Sequence, residues 1–428
     1  MASDKKIFDL VKEIFPICRS LTGDGNRRTL EILQKKLPLK ILEVPSGYKA
    51  YDWIVPKEWN IKDAYISNLK GKKVVDFQKN NLHVVGYSKP IDQKIQLEEL
   101  QKHLYSRPDL PSAIPYVTSY YQEDWGFCVE HDKRKRLKDK AYAVRIDSEL
   151  KKGSLTYGEL ILKGKSNKEI FISTYICHPS MANNECSGPC VTKFLCDWIK
   201  TLDRKYTYRI VFVPETIGAI VYIHKNLKKL KKNVIAAFNI TCVGDDNQIS
   251  FLPSREGHTI TDKVARHVLS NYTKKYKEYE FSELGSDERQ YCQPKVNLPM
   301  VSIMASKYGE YKEYHTSLDN LDFISPKGLN RSFKLIQKCI LALENNFHPR
   351  SKTVCEPFLS KRNLVPKEWK SRLTNENPKL KKQIKTLKHA LIYCDGKNDL
   401  IDISNKFKIK FEDCLDCLNI LRKENLIK

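Results

Sequence analysis

The 428-residue sequence contains no run of about 18 consecutive apolar residues, the length a helix needs to cross a bilayer. Its opening, MASDKKIFDLVKEIFPICRSL, interrupts every apolar cluster with Lys, Asp or Glu and so lacks the continuous apolar core of a secretory signal. Glycine and proline are sparse, 17 and 19 residues, and no repeat period is present, which excludes collagen-like, low-complexity and solenoid architectures. Acidic charge is also in short supply: 51 Asp and Glu face 75 Lys and Arg, for a formal net charge of +24. That excess raises nucleic acid as a partner. Only 17 of the basic residues are Arg, however, the side chain that reads bases and phosphates bidentately. The lysines are dispersed through surface-like segments such as Lys225, Lys228, Lys229, Lys231 and Lys232, where a solvated face accounts for them equally well. The reading is therefore against nucleic acid and against a membrane partner.

What is present is an ordinary globular composition, 41% hydrophobic and 29% charged, on a chain long enough for two or three domains. Thirteen cysteines, an odd number at irregular spacing, read as reduced thiols serving as small hydrophobes, and the expected compartment is the cytoplasm. The close pairs Cys186/Cys190 and Cys414/Cys417 fall in helical patterns and have no second pair at zinc-knuckle distance.

Helical spacing runs through residues 5–37, with Ile7, Leu10, Val11, Ile14 and Phe15, then Leu30, Ile32, Leu33 and Leu37. Residues 46–149 are rich in Tyr, Val, Ile and Pro in short alternations, which predicts an inserted β-rich module. From about 150 to 350 the apolar runs EIFISTYIC, YRIVFVP, VIAAFNITC and LPMVSIMA alternate with helical stretches. This pattern predicts an α/β domain, completed by residues 1–45, whose mostly parallel sheet is covered by helices on both faces. Functional residues then belong at the carboxyl ends of the strands. Residues 355–428 read as a separate module: a linker, EPFLSKRNLVP, then three short helices with a DG turn, the core of a helix-turn-helix or winged helix. The third helix reaches the last residues, so no wing hairpin is expected to follow it.

The strand EIFISTYIC leads into His178, followed by Asn184, Glu185 and an SG pair that opens a helix. Imidazole and carboxylate are the ligands of a catalytic zinc that keeps one position open. The next strand ends at Glu215, a candidate general base, followed by Thr216. Farther on lie ELGSDERQYC, with Asp287, Glu288 and Arg289, and EYHTSLDNLDFI, with His315, Asp319 and Asp322. Two histidines and one Glu complete a His2Glu single-zinc site.

In order, the strand-His loop with its N-N-x-x-SG element, the P-E-x-x-G strand end, N-I-T-C-V-G, the S-D loop and Y-H-T-x-x-D resemble the di-zinc aminopeptidase superfamily across 150–348. Longer segments, PSGYKAYDWIVPKEWNIKDAYI, HLYSRPDLPSAIPYVTSYYQEDWGFC, STYICHPSMANNECSGP and GSDERQYC, resemble a bacterial aminopeptidase-like family with an inserted β domain and a C-terminal winged helix. The resemblance implies amide-bond hydrolysis and a link to surface-polysaccharide synthesis. It also exposes departures. Asn184 stands where the superfamily has a bridging Asp, Thr216 where it has a second Glu, and Thr241 where it has an acidic ligand. Three charges are thus missing, and two zinc ions would be poorly neutralised.

The expectation is one Zn²⁺ on His178, Glu185 and His315, with Glu215 as base and a small amide-containing substrate. Asn184, Asp287, Arg289 and Tyr121 are expected near that substrate, with Tyr120 and Trp125 as further lining from the inserted module. A catalytically silent scaffold binding a ligand or protein is the alternative. The acidic start of the third C-terminal helix, Glu412, Asp413 and Asp416, argues against DNA recognition and for packing or homo-oligomerisation.

Overall fold

The computed structural model describes residues 2–35, 37–364 and 378–428; the expected linker's last two residues, 365 and 366, lie outside these. The chain forms two compact units, Met1–Asp262 with Tyr276–Lys334, and Lys263–Lys275 with Leu335–Lys428. Among the described residues no helix is long and apolar enough to cross a membrane.

The first unit is built on two sheets. The strands of these two sheets, in chain order, are β1 (Lys40–Pro45), β2 (Glu58–Asn68), β3 (Lys73–Asp76), β4 (Ile91–Gln96), β5 (Ala141–Lys151), β6 (Ser154–Leu162), β7 (Glu169–Tyr175), β8 (Thr207–Val213), β9 (Val234–Asn239), β10 (Ser250–Leu252), β11 (Lys277–Glu278) and β12 (Met300–Met304). Eight of them make a central sheet in the order β1-β6-β8-β7-β9-β12-β10-β11, and four make a second sheet in the order β3-β2-β5-β4. The four apolar runs singled out in the sequence are the adjacent strands β8, β7, β9 and β12, all mutually parallel. Every residue of β7, β8 and β12 is buried. Strands this uniformly apolar are stable only with both faces covered. Antiparallel pairing is confined to the flanks, where β6 joins β8 and β10 joins β12.

The covering helices are α1 (Ala2–Ile14), α2 (Asp24–Gln34), α3 (Ser187–Ile199) and α4 (Ile217–Asn233). From β7 the chain crosses through α3 to β8 on one side; from β8 it crosses through α4 back to β9 on the other. Right-handed crossovers in opposite directions put α3 and α4 on opposite faces and open a crevice at the carboxyl ends of β7 and β9. Arg27 of α2 ties this layer to the second sheet, donating to both carboxylate oxygens of Glu58 at 2.8 and 2.6 Å and to Glu43 at 2.9 Å.

In the second unit lie most of α5 (Ile260–Tyr272), the end of α6 (Pro326–Asn345), and α7 (Pro378–Ile392), α8 (Leu400–Phe407) and α9 (Phe411–Lys423). A reciprocal capping box between Asp399 and Asp402 starts α8. The carboxylate of Glu412, at the start of α9, accepts from Lys338 at 2.8 Å and from the Tyr272 hydroxyl. The segment at Arg350 and Ser351 bridges to Asp395 and to Ile427.

Candidate active site

Three residues past β7, His178 lies at the crevice, buried with Glu185 on one side of its ring and Glu215 on the other. Its Nδ1 is 2.9 Å from Glu185 Oε2, and its Nε2 is 3.6 Å from Glu215 Oε2. Burial opposes the imidazolium, but the hydrogen bond to Glu185 and the two carboxylate charges outweigh it and raise the pKa of His178. Glu215 is raised as well, by burial, against the pull of His178 and Arg289.

His315 arrives from the loop after β12. Its backbone takes a positive φ of 54°, and its ring centroid is 5.4 Å from that of His178. Burial, then the charge of His178, pushes its pKa down to about 3, so the ring is neutral at physiological pH. Its Nε2 is buried with no hydrogen-bond partner. The loop carrying Tyr116 folds over both histidines: Tyr116 N donates to His315 O at 2.8 Å, and its ring lies 5.3 Å from His178 and 5.1 Å from His315. Tyr314 stacks on His315 at 3.9 Å.

The loop between His178 and α3 is a π-helical turn, Ala182–Cys186. Asp319 clamps it, accepting from Asn183 N at 2.6 Å and Asn184 N at 2.9 Å. Burial lifts the Asp319 pKa to about 6 despite those donors. Asp322 is exposed. Glu215 is aimed by an unusual neighbour: Thr216 has φ 64°, a costly conformation for a β-branched residue. Asp287 and Arg289 hold it there, Asp287 Oδ1 accepting from Thr216 N at 2.7 Å and Arg289 donating to Thr216 Oγ1 at 2.5 Å. Asp287 is fully buried, with its other oxygen unpartnered. Glu288 is structural, accepting from Gly285 N, Ser286 N, Asn239 and Tyr308.

Of the expected His178, Glu185, His315 set, Glu185 and His178 lie in direct contact. Glu185 occupies the Nδ1 side of His178, away from Nε2, and orients the ring as a carboxylate behind a metal-binding imidazole does. Two atoms on one tetrahedral zinc stand about 3.4 Å apart, given bonds of about 2.0–2.1 Å. The 2.9 Å from His178 Nδ1 to Glu185 is a hydrogen bond, shorter than that spacing, while Glu215 stands 3.6 Å from Nε2, close enough to serve a water there. Cys177, His178 and Glu185 do bring ligand atoms within 4.8 Å of one another. That side is already occupied by a cation. Arg19 has a fully buried side chain with Nε 3.4 Å from Glu185 Oε1, and it donates to His178 O at 3.0 Å and Cys186 Sγ at 3.1 Å. The Cys177 sulfur also accepts from Glu215 N at 3.1 Å, and burial drives its thiol pKa well up.

At the place of a second ion sits a neutral network. The Tyr175 hydroxyl is 2.5 Å from Thr241 Oγ1, accepts from Asn184 Nδ2 at 2.7 Å and donates to Asn184 O at 2.9 Å. By donor chemistry, the two imidazoles, with rings 5.4 Å apart and the buried His315 Nε2 unpartnered, suit one zinc, and the neutral network lacks the carboxylates of a second. Tyr121 is half exposed, its hydroxyl on Ile54 O at 3.3 Å. Trp125 is a core residue stacked on His103. Tyr120 connects to the site through its hydroxyl, 2.9 Å from that of Tyr116. Arg19, Cys177, Tyr116 and Tyr175 were not singled out in the sequence. The segment IPYVTSYY, with three tyrosines, was the one visible signal for Tyr116.

A Clostridium acetobutylicum protein provisionally named as a polysaccharide biosynthesis protein with an aminopeptidase-like domain is 42% identical over 99% of this chain and 96% of its own. A crystal structure from the same organism, provisionally named a peptidase, superposes with a TM-score of 0.93 at 41% identity, covering 100% of this chain and 96% of that one. BSAP, a zinc aminopeptidase from Bacillus subtilis, shares the fold with a TM-score of 0.58 at 13% identity, over 79% of this chain and 94% of its own. Residues 348–428 match a winged helix-turn-helix model. The model described as a domain of unknown function (DUF4910) matches residues 8–346, and the chain belongs to that family.

Proposed function

We propose that the protein is a zinc-dependent hydrolase of an amide bond in a small substrate, acting in the cytoplasm on a peptide or a modified-sugar amide of surface-polysaccharide synthesis. The observation that carries this reading is the pair His178 and His315, brought from the loops after two strands to a ring separation of 5.4 Å with the buried Nε2 of His315 unpartnered. The aminopeptidase-like fold and the name of the Clostridium relative support it, and thirteen free thiols suit a reducing compartment.

His178 and His315 would hold the zinc through Nε2. Bound zinc supplies Lewis acidity towards a carbonyl oxygen and towards water. Glu215 takes the proton of the attacking water on its carboxylate and passes it to the leaving amine. Glu185, neutralised by Arg19, fixes the tautomer and angle of His178. Asp287 and Arg289 hold Thr216, and through it Glu215, in the working geometry. Tyr116 and Tyr314 exclude water around the histidines and offer flat faces to a substrate. We assign the C-terminal helices a packing or oligomerisation role, since the start of α9 is held by Lys338 and Tyr272 within its own unit.

The test is metal content by elemental analysis of wild type, His178→Ala, His315→Ala and Glu215→Gln, followed by an amide-substrate screen. One zinc per chain, lost in both histidine variants and retained in Glu215→Gln with turnover abolished, is the expected result. A chain that takes up no zinc overturns the hydrolase, and loss of zinc in Glu215→Gln overturns the base assignment.

A further inference from the structure

Helix α4 carries Lys225, Lys228, Lys229, Lys231 and Lys232 and no acidic residue between Ile217 and Asn233. All five are exposed. Read from sequence they are a solvated face. Their surroundings are of a different kind. Ile220, Ile223 and Leu227 of the same helix, three and four residues apart and so on one side, line an open groove of about 460 Å³ with Tyr51, Lys295 and Val296. Lys231 reaches over to the Lys295 carbonyl at 2.9 Å, and Lys225 lies 5.4 Å above the Tyr48 ring, which fixes cations at the groove's rim.

The groove is bounded by a short hairpin in which Lys49 and Ala50 pair with Ile54 and Trp53. Its turn residue Tyr51 has φ 55° and meets the His224 ring of α4 edge-on at 4.9 Å. The tip leaves large apolar side chains in water: Tyr51 is 50% exposed, Trp53 39% and Ile54 52%. Tyr121, also 50% exposed, sits 6.0 Å from Trp53. A cluster of exposed aromatic and aliphatic side chains beside an apolar groove marks an interaction surface.

We infer that this face docks on the surface of a bilayer rich in anionic lipid. Trp and Tyr rings favour the headgroup level, where an apolar body and a polar edge are both satisfied. The lysines of α4 meet the lipid phosphates, each adding to binding within a Debye length of the surface. Charge complementarity selects this occupant. A neutral apolar partner leaves five lysines unmatched, and a nucleic acid leaves Trp53 and Ile54 against phosphates. The surface holds the crevice of β7 and β9 at a membrane without any spanning helix, and it stands whether or not the site hydrolyses an amide.

Vesicle flotation of the full chain tests it, with vesicles of phosphatidylcholine alone and of phosphatidylcholine mixed with phosphatidylglycerol. The chain is expected to float with the anionic vesicles at low salt, to be released by high salt and to ignore the neutral ones. Lys228→Gln with Lys232→Gln weakens binding about 30-fold, two lysines at the usual contribution per charge. Trp53→Ala with Ile54→Ala also weakens it. Lys70→Gln with Lys72→Gln, in the exposed turn before β3, leaves it unchanged. Thermal melts check that each variant is folded. Absence of flotation overturns the inference, as does equal weakening by the Lys70 and Lys72 pair, which would reduce the effect to net charge. Duplex DNA binding that depends on Lys228 and Lys232 but not on Trp53 and Ile54 would assign the face to nucleic acid instead.

Discussion

Replacing Arg19 by Met removes one charge from beneath the site while keeping most of the side-chain volume. Arg19 and Glu185 have fully buried side chains with Nε and Oε1 3.4 Å apart. The guanidinium also serves the carbonyls of Ile14 at 2.6 Å and His178 at 3.0 Å. Met supplies none of these donors, and Glu185 is left with His178 alone to balance its charge. Breaking a buried pair from one side costs about 3–5 kcal/mol, most of it the penalty for the stranded charge. Removing the stranded charge as well, in Arg19→Met with Glu185→Gln, returns part of that loss, and the pair is expected to show a coupling of about 1–3 kcal/mol. Urea unfolding of the wild type, both single variants and the double variant, followed by tryptophan fluorescence, measures all four corners. A cost for Arg19→Met below about 1 kcal/mol, the level of an exposed pair, or strict additivity in the double variant, would refute the argument that Arg19 neutralises Glu185.

Two further outcomes are expected. Glu185→Gln keeps an acceptor for His178 Nδ1 but removes the charge, so zinc affinity, read by competition with a chelator, falls about 10–100-fold; complete loss would place Glu185 on the ion itself. Glu58→Gln tests the tie to Arg27. The bidentate hydrogen bond from Arg27 holds the Glu58 pKa down to about 2 in the folded chain, below the usual carboxylate value. Its stabilisation is therefore present above about pH 4.5 and disappears as pH falls towards 2. Solvent around Arg27 limits it to about 1–2 kcal/mol, and the variant should lose that much of the acid dependence of its urea midpoint, a change whose absence would refute the linkage.

The central sheet was legible because β7, β8, β9 and β12 are apolar on both faces, a pattern that only a covered parallel sheet uses. His178 and Glu215 were legible for a related reason: each follows within three residues of a strand, where the crevice of such a sheet must lie; His315, eleven residues past β12, was legible from its motif. Glu185 was harder. It sits one place beyond Asn184 in a turn with π-helical geometry, and whether its carboxylate faces Nδ1 or Nε2 of His178 is a matter of side-chain direction that spacing does not carry. Arg19 was out of reach, because it meets His178 from 159 positions away and reads in sequence as an ordinary residue after a helix. The α4 lysines were visible, but the apolar groove beside them is formed by segments distant in sequence.

Tyr175 shows how an absence in the sequence becomes a positive feature of the site. The substitutions at Asn184 and Thr241 read only as lost charge, and lost charge alone leaves open whether a second ion is merely weaker or is replaced. The Tyr175 hydroxyl, three residues before His178, fills that place, meeting Thr241 at 2.5 Å and Asn184 at 2.7 Å. The groups that meet there are a hydroxyl, a second hydroxyl and an amide, with the buried Asn184 Oδ1 left unpartnered, so a dication would meet neutral oxygens in place of the carboxylates of a two-ion site. On the other side of His178 the available positive charge is Arg19, already spent on Glu185. What stays open is the unpartnered Nε2 of His315 and the Nε2 of His178, with Glu215 3.6 Å from the latter and Thr216 strained to aim it. On the proposed reading, charge neutrality favours one ion at the crevice over two, with Glu185 orienting His178 and Glu215 moving the proton.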